Sequence, residues 1–337
     1  MLSVLVISSG WPSPERPGTS IFVAEQVERL REAGVLVSVV SYVGAMDPRN
    51  YLRARRGVRE QLRSGSFDVI HAHFGQSGLA VFPYAGPLPV VVTFHGSDLF
   101  GVVGRRGRYT LRGEVLRRIS RWVASRANVS IVPSRRLAAS LPTSAMAHVI
   151  PIGIDTTVFK PGDRDEARAA LGWSPTGRYV LFGGNPNVPV KRYALAQEVL
   201  RRTDPVLNPE LVSIVDRPRA DVVTHLNAVD AILVTSQHES GPLIVKEAVA
   251  CGTPVVSVDV GVVRELVGDL PGCVVSPSDD AGALAEALSS VLRERPRVDH
   301  ECVLPFVDDR VIARQLIELY GDLLRSSRGD DAVDGER

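Results

Sequence analysis

Two carboxylates, Glu239 and Glu247, stand with seven residues between them in the second half of the chain. Glu239 lies in a polar loop, and Glu247 falls about 7 Å inside the helix predicted to follow, at about 1.5 Å per residue. A carboxylate at that depth could accept two hydrogen bonds from a ribose diol, as an acidic residue does in dinucleotide sites. The amides of Ser240, Gly241 and Leu243 at the helix start could meet a diphosphate or sugar hydroxyls. Glu239 would then face the group beyond the phosphates, although a bare pair of glutamates is better explained by an ordinary helix and loop.

The residues around this pair predict a strand, a loop, a helix and a second strand. Residues 231–235 (AILVT) form a short apolar run with β-branched members, which is typical of a buried strand. Pro242 suits the first position of a helix, and Gly252 with Pro254 suits its end. Residues 255–258 are then the next buried strand. A parallel βαβ unit follows, with the loop at the carboxyl edge of the sheet, where ligands bind in open α/β folds.

The whole stretch 234–258 resembles the donor-site signature of retaining glycosyltransferases of family 4. The resemblance lies in the run Glu239-Ser240-Gly241-Pro242, then in VKEA at 245–248 and ACGTPVV at 250–256. It implies an α/β chain of the GT-B type, with two Rossmann-like domains facing a cleft and a C-terminal helix crossing back to the first domain. It also implies that Glu247 holds ribose and that Glu239 holds sugar hydroxyls. Ser240 stands where the family most often has glycine.

A second donor-side motif follows residues 179–183 (YVLFG), which are predicted to begin the sheet of the second domain. The loop after this strand contains Gly184 and Asn185 and leads to Lys191. A glycine-containing loop followed by a cation is a reasonable clamp for a diphosphate. In the family an arginine and a lysine share this task. Lys191 matches the lysine, Asn185 occupies the place of the arginine, and the neighbouring Arg192 is expected to turn elsewhere.

In the first half of the chain, His95 follows the apolar run 89–94 (PVVVTF) on a tight His-Gly-Ser-Asp turn. A histidine and an aspartate at the carboxyl end of a strand are placed to project into a binding site. The turn resembles an H-G-x-D motif of the family, in which the histidine contacts the donor sugar, so His95 is grouped with Lys191 and Glu239 as catalytic. Asp98 is an acceptor-side candidate, although it could instead only cap a helix.

Three further candidates on the first half come from the resemblance. Gly18 is expected on the donor side and Thr19 on the acceptor side of the first loop, residues 9–20. That loop has no G-x-G-x-x-G, which argues against a nicotinamide-dependent oxidoreductase. His73 ends the run DVIHAH and is an acceptor-side candidate, with a structural role as the alternative. His71 and His73 have no third metal ligand nearby.

Length and composition indicate the domain organisation and the cellular compartment. A chain of 337 residues suits two domains. We expect an acceptor-side Rossmann-like domain over 1–158, a nucleotide-sugar domain over 159–308, a returning helix over 309–325, and a disordered tail over 326–337. Three cysteines without metal spacing favour a reducing cytoplasm. The N-terminus has no signal-peptide pattern, and no apolar run is long enough to cross a membrane.

The small net charge of +1 hides an asymmetry between the halves. Residues 1–155 contain 19 Lys and Arg against 10 Asp and Glu, whereas the remainder contains 20 against 28. A basic first half suggests an anionic partner, such as a phosphorylated acceptor or acidic lipid headgroups at the inner membrane face. A solvated helix face is at least as good an explanation. Nucleic acid is disfavoured, because no aromatic residues alternate with the arginines.

The resemblance therefore implies a hexosyltransferase that moves a sugar from a nucleotide-diphosphate sugar to a small-molecule or lipid-linked acceptor with retention of configuration. No protein nucleophile, metal or other cofactor is expected, because the leaving diphosphate itself would accept the proton of the acceptor. Two alternatives remain open at this point. An isomerase such as a nucleotide-sugar 2-epimerase would react without an acceptor, and a non-catalytic sugar-nucleotide sensor would agree with Asn185 in place of arginine.

Overall fold

The computed structural model describes residues 1–44 and 47–328. The chain divides into two compact units. The first unit contains residues 1–102 and 110–153 together with the chain from Asp309 onward, and the second contains residues 103–109 and 154–308. The chain thus changes unit between Gly153 and Ile154, a few residues before the predicted boundary at 158.

The first unit is built on a six-stranded parallel sheet in the order β2-β1-β3-β4-β5-β6. β3 and β4 are buried at every residue, as expected for parallel strands covered by helices on both faces. The strands are β1 Ser3–Ser8, β2 Leu36–Ser41, β3 Val69–His73, β4 Val90–Thr93, β5 Val129–Val132 and β6 Ala147–Val149. The helices are α1 Ile21–Glu32, α2 Pro48–Ser64, α3 Gly78–Val81, α4 Ser97–Phe100, α5 Leu111–Ala124 and α6 Arg135–Ala138, with a 3-10 turn at Gly75–Ser77.

The second unit has a five-stranded parallel sheet in the order β11-β10-β9-β7-β8. Its strands are β7 Tyr179–Phe182, β8 Glu210–Val212, β9 Ala231–Val234, β10 Val255–Val258 and β11 Val274–Ser276. Its helices are α7 Arg164–Leu171, α8 Tyr193–Arg202, α9 Arg219–Ala228, α10 Leu243–Ala250, α11 Val263–Val267, α12 Ala281–Glu294 and α13 Leu304–Val307, with a 3-10 turn at Pro189–Lys191. The predicted βαβ unit is β9-α10-β10, whose two strands are direct neighbours. Two Rossmann-like α/β units confirm the predicted fold class.

The last helix, α14 (Asp309–Arg328), groups with the first unit. Ile312, Leu316 and Tyr320 share a core cluster with α1 and β1, and Asp309 accepts a hydrogen bond from Arg29 Nε at 2.8 Å. Residues 326–328, predicted to belong to the disordered tail, are instead the last turn of this helix. The rest of that predicted tail, 329–337, lies outside the described residues. Within the described chain no helix is long and apolar enough to span a lipid bilayer.

Candidate functional site

The loop that carries Glu239 is fastened to the loop after β7. The amide of Gln237 donates to the carbonyl of Val190 at 2.8 Å, and Thr235 Oγ1 donates to the carbonyl of Lys191 at 2.9 Å. Arg192 completes this connection, with Nε on the carbonyl of Thr235 at 2.5 Å. Nη1 of the same residue binds Asp279 at 2.6 Å. Arg192 therefore braces the loops, in agreement with the expectation that it turns away from a diphosphate.

Lys191 and Glu239 form an ion pair where these two loops meet. The Nζ–Oε1 distance is 2.5 Å, and Ser236 Oγ donates to the same carboxylate oxygen at 2.7 Å. Gly184 makes room for the lysine, because a Cβ at that position would lie 2.7 Å from Lys191 Cδ. Asn185 Oδ1 accepts the amide of residue 187 at 2.9 Å, which closes its own turn. The structure thus brings Lys191, Glu239 and Gly184 together at the carboxyl ends of β7 and β9.

Glu247 lies inside α10, buried, and forms an ion pair with Arg219, Nη1 to Oε1 at 2.5 Å. The helix starts at Leu243, so Pro242 is the residue before it rather than the predicted first helical residue. Arg219 was missed in the sequence, although one signal points to it. It is the first residue of α9, where the helix dipole disfavours a cation unless an acid compensates it. Arg219 also lies over the ring of Phe159, at 5.3 Å from the centroid.

The segment Ser240-Gly241-Pro242 is buried and connects the two acids. The loop after β10 packs against it, and Gly261 there has φ +58° and lies so close that a Cβ would sit 3.1 Å from the carbonyl oxygen of Glu239. On another side, the ring of Tyr109 stacks on His238, with centroids 6.0 Å apart and planes at 13°. Neither Gly261 nor Tyr109 was singled out in the sequence, since both contacts join segments distant along the chain.

Lys246, next to Glu247, is also buried. Burial lowers the pKa of this ammonium group to about 7, because the charged form loses its hydration. No role was predicted for it.

In the first unit, three imidazoles form a row at the carboxyl ends of β3 and β4. His71 and His73 point to one face of β3 because they are two residues apart, and their ring centroids lie 4.4 Å apart. His73 Nδ1 shares a hydrogen bond with His95 Nε2 at 3.2 Å. Within the described part of the chain, His73 Nε2 is buried without a hydrogen-bond partner. His95 is packed against the rings of Phe74 and Phe22, with centroids 4.4 and 4.9 Å away.

Burial keeps these imidazoles neutral. It lowers the pKa of His71 to about 3. It also lowers the pKa of His95 to about 3 and the pKa of His73 well below its usual value, and in these two the neighbouring imidazoles add to the effect. Both nitrogens of His71 are used, Nδ1 with Tyr320 Oη at 2.6 Å and Nε2 with Thr93 Oγ1 at 2.7 Å. His71 is therefore held on both sides of its ring, His73 is hydrogen-bonded to His95, and the acceptor-side role of His73 stays a prediction.

Asp98, predicted on the acceptor side with a cap as the alternative, holds the turn between β4 and α4 through backbone amides. Its carboxylate is 1% exposed and accepts backbone N–H groups of Gly96 at 2.9 Å, of Gly75 at 3.1 Å and of His95 at 3.1 Å. Since these amides occupy both oxygens, the side chain shapes the turn that presents His95. Its acceptor-side role stays a prediction.

Gly18 is exposed and Thr19 is partly buried at the end of the first loop. Ser20, which precedes α1, has a left-handed backbone with φ 49°. The start of this helix reaches the histidine row through Phe22, three residues after Thr19. The described chain contains no group of three or more His, Cys, Asp or Glu side chains arranged to hold a metal.

Comparison with known proteins agrees with this architecture. Residues 3–158 match the family described as Glycosyltransferase Family 4, and residues 206–302 match Glycosyl transferases group 1. A D-inositol 3-phosphate glycosyltransferase of Frankia alni is 32% identical, over 68% of this chain and 67% of that protein. The putative teichuronic acid biosynthesis glycosyltransferase TuaC of Bacillus subtilis is 25% identical, over 89% of this chain and 90% of that protein.

Solved structures show the same fold. The sucrose-phosphate synthase of Thermosynechococcus elongatus superposes with a TM-score of 0.79 at 18% identity, over 97% of this chain and all of that one. The Anabaena protein HepE, in complex with UDP and glucose, gives a TM-score of 0.69 at 15% identity, over 95% of this chain and all of that one. The chain spans about two thirds of the Frankia protein, and on these matches it belongs to glycosyltransferase family 4.

Proposed function

We propose that this glycosyltransferase moves a sugar from a nucleotide-diphosphate sugar to an acceptor hydroxyl, with retention of anomeric configuration and without a metal ion. The observation that carries the proposal is the pair of carboxylates, Glu239 and the buried Glu247, each held by a cation at the edge of the second sheet. HepE has been solved in complex with UDP-glucose, which supports a nucleotide-sugar donor for a protein of the same fold.

In this mechanism the bond between the anomeric carbon and the phosphate oxygen breaks, and the acceptor oxygen bonds to the same face of the sugar. The departing diphosphate takes the proton of the acceptor hydroxyl, so no protein nucleophile is required. Lys191 and the amides at the start of α10 support the charge on the diphosphate. Glu247 holds the ribose, Glu239 holds sugar hydroxyls, and both act by positioning.

His95 is the sugar-side residue contributed by the first unit. Its pKa of about 3 means that it is neutral at physiological pH, so it can accept or donate a hydrogen bond without carrying a charge. Asp98 and His73 fix its orientation through the hydrogen bonds given above.

The acceptor is proposed to carry negative charge, and the protein to act in the cytoplasm, at the inner membrane face if the acceptor is lipid-linked. α2 contains six arginines and one acidic residue, Glu60, and α5 contains four arginines and one acidic residue, Glu114. The name of the Frankia relative includes D-inositol 3-phosphate, a phosphate-bearing compound, which supports an anionic acceptor here.

The test uses Lys191→Met and Glu247→Gln. Removal of the cation that faces the developing charge is expected to lower turnover by about 10²- to 10³-fold. Loss of the ribose contact is expected to weaken donor binding by about tenfold. Donor binding is measured by thermal shift across nucleotide diphosphates, and turnover by release of the nucleoside diphosphate.

Matched controls are Lys160→Met and Glu265→Gln, two exposed residues of the same unit. Full turnover in both site variants would end the assignment. Conversion of the donor without any acceptor would favour an isomerase over a transferase, and tight donor binding without turnover on any acceptor would favour a sensor.

A further inference from the structure

A mostly apolar cavity lies in the first unit, between α2, the start of α3 and α5. Its volume is about 350 Å³, within the range of small-molecule sites. Its apolar wall is formed by Leu52, Leu79, Leu116 and Ile119. Leu52 is 62% exposed, which is a large exposure for a leucine beside a cavity. The core of the unit does not need this leucine, so the surface is available to a ligand.

The polar lining of the cavity consists of Tyr51, Arg55 and Gln76. Gln76 donates through Nε2 to Ser9 Oγ at 2.9 Å, whereas its Oε1 is buried with no hydrogen-bond partner among the described residues. A buried acceptor without a donor is unfavourable. The hydrogen bond to Ser9 holds the side chain of Gln76 at the cavity wall.

The helices on either side of the cavity supply positive charge. The arginines of α2 outnumber its acidic residues by six to one, and those of α5 by four to one. Their acids are already used, since Glu60 pairs with Arg56, and Glu114 pairs with Arg117 and Arg118. Arg55 Nε donates to the carbonyl of Leu79 at 3.0 Å, which fixes its guanidinium at the wall of the cavity. An anionic group at this rim would find complementary charge.

The cavity also adjoins the acceptor-side residues of the same unit. Gln76 lies three residues after His73, in the 3-10 turn that follows β3, and its bond to Ser9 reaches the first loop, which ends in Gly18 and Thr19. Gln76 therefore links the cavity wall to the first loop.

We propose that this cavity binds the apolar chain of an anionic amphiphile, and that this amphiphile is the acceptor of the glycosyl transfer. The second claim, that the amphiphile is the acceptor, rests on the proposed function, whereas the first claim, that the cavity binds an apolar chain, does not. The apolar chain of the amphiphile fills the space between Leu52, Leu79 and Leu116, and its anionic group lies at the edge of the cavity near Arg55. The acceptor is thus a lipid phosphate or a related amphiphile, and not a free sugar phosphate.

The first experiment measures binding of butyl, hexyl, octyl and decyl phosphate to the full-length protein by calorimetry, below their micelle concentrations, with inorganic phosphate as reference. Each buried methylene is expected to increase affinity about fourfold, and the gain should stop once the cavity is full. An affinity that does not depend on chain length, or that equals that of inorganic phosphate, would overturn the proposal.

The second experiment fills the cavity with Leu79→Trp and, separately, with Leu116→Trp. The matched control is Leu111→Trp, also on α5 but 82% exposed and outside the cavity. Both filled variants are expected to lose at least tenfold in affinity for decyl phosphate, whereas the control keeps it. Unchanged binding in both filled variants would contradict a chain seated there.

The polar contribution is tested with Arg55→Met against Arg56→Met, since Arg56 is the next residue, is exposed, and does not line the cavity. Only Arg55→Met should reduce the preference for decyl phosphate over decanol. Binding of the nucleotide donor, followed by thermal shift in every variant, separates the two proposals. If no donor binds, the proposed function fails while the chain-length series still decides the cavity.

Discussion

Replacement of Arg219 by methionine gives the sharpest test of how the site in the second unit is held. Arg219 is a quarter exposed and Glu247 only 5% exposed, with 2.5 Å between Nη1 and Oε1. Methionine keeps the apolar contact of the side chain with the ring of Phe159 but removes the charge. Glu247 would then be a buried carboxylate without its cation.

The expected loss of stability in Arg219→Met follows from the burial of this ion pair. Breaking a fully buried ion pair costs about 3–5 kcal/mol, and exposed pairs contribute at most about 1 kcal/mol. Because Arg219 is partly solvated, we expect Arg219→Met to lower the free energy of unfolding by about 2 kcal/mol. Glu247→Gln should cost less, because the arginine left behind can reach water. The double variant should be more stable than Arg219→Met alone, because the carboxylate that lost the arginine is no longer charged.

The assay is a double-mutant cycle on the free energy of urea unfolding, with near-UV circular dichroism to confirm native packing. The coupling between the two positions is expected at about 1 kcal/mol or more. The same proteins are titrated with the nucleotide donor, whose affinity should fall in Arg219→Met even though the arginine itself need not touch it. Additive effects, within about 0.5 kcal/mol, together with unchanged donor affinity, would refute the reasoning.

Three further predictions follow from individual side chains. Lys246→Met should stabilise the protein near pH 7 by as much as about 4 kcal/mol, because burial lowers the pKa of Lys246 to about 7 from about 10.4 in the unfolded chain. This gain in the free energy of unfolding should shrink as pH rises from 7 to 10.4. A gain that does not depend on pH would contradict the prediction. His71 has a pKa of about 3 in the folded protein, so its contribution to stability should be complete above about pH 6.5 and should decrease below that pH, by about 2 kcal/mol at pH 5. In urea unfolding, the free energy of unfolding of His71→Gln should therefore fall less between pH 7 and 5 than that of the parent protein. Gly184→Ala should displace the stem of Lys191, since the new Cβ would lie 2.7 Å from Cδ, and so lower turnover with little change in thermal stability; equal turnover would place Lys191 outside the reaction.

Local patterns predicted the positions of the donor-side elements because the relevant signals are short-range. The apolar run before Glu239, the proline before α10 and the glycine after it act within a few residues, so β9, α10 and β10 could be read in order. The same holds for β4 and the turn that carries His95. Asp98 shows the limit of such reasoning. Its type and spacing suit either a ligand contact or a cap, and the three amides that it accepts come from segments that the local pattern does not bring together.

Residues missed in the sequence owe their positions to long-range packing. Arg219 meets Glu247 across 28 positions, and His71 meets Tyr320 across 249. Tyr109 stacks on His238 although the two are separated by much of both units in sequence. No periodicity encodes such pairs. The one physical hint was the unfavourable position of Arg219 at a helix start, which called for an acid but could not say which.

The pairing of both carboxylates changes how diphosphate binding must be understood. Lys191 is neutralised by Glu239 and Arg219 by Glu247, while Arg192 is bound to Asp279 and two carbonyls. A diphosphate therefore does not enter a surplus of side-chain charge at these positions. Under the proposed function, the diphosphate is expected to draw Lys191 partly away from Glu239 and to take additional hydrogen bonds from the backbone at the start of α10. Glu239, released from this ion pair, would then be available to sugar hydroxyls, so the proposed function predicts that binding of the phosphates and of the sugar is coupled through Lys191.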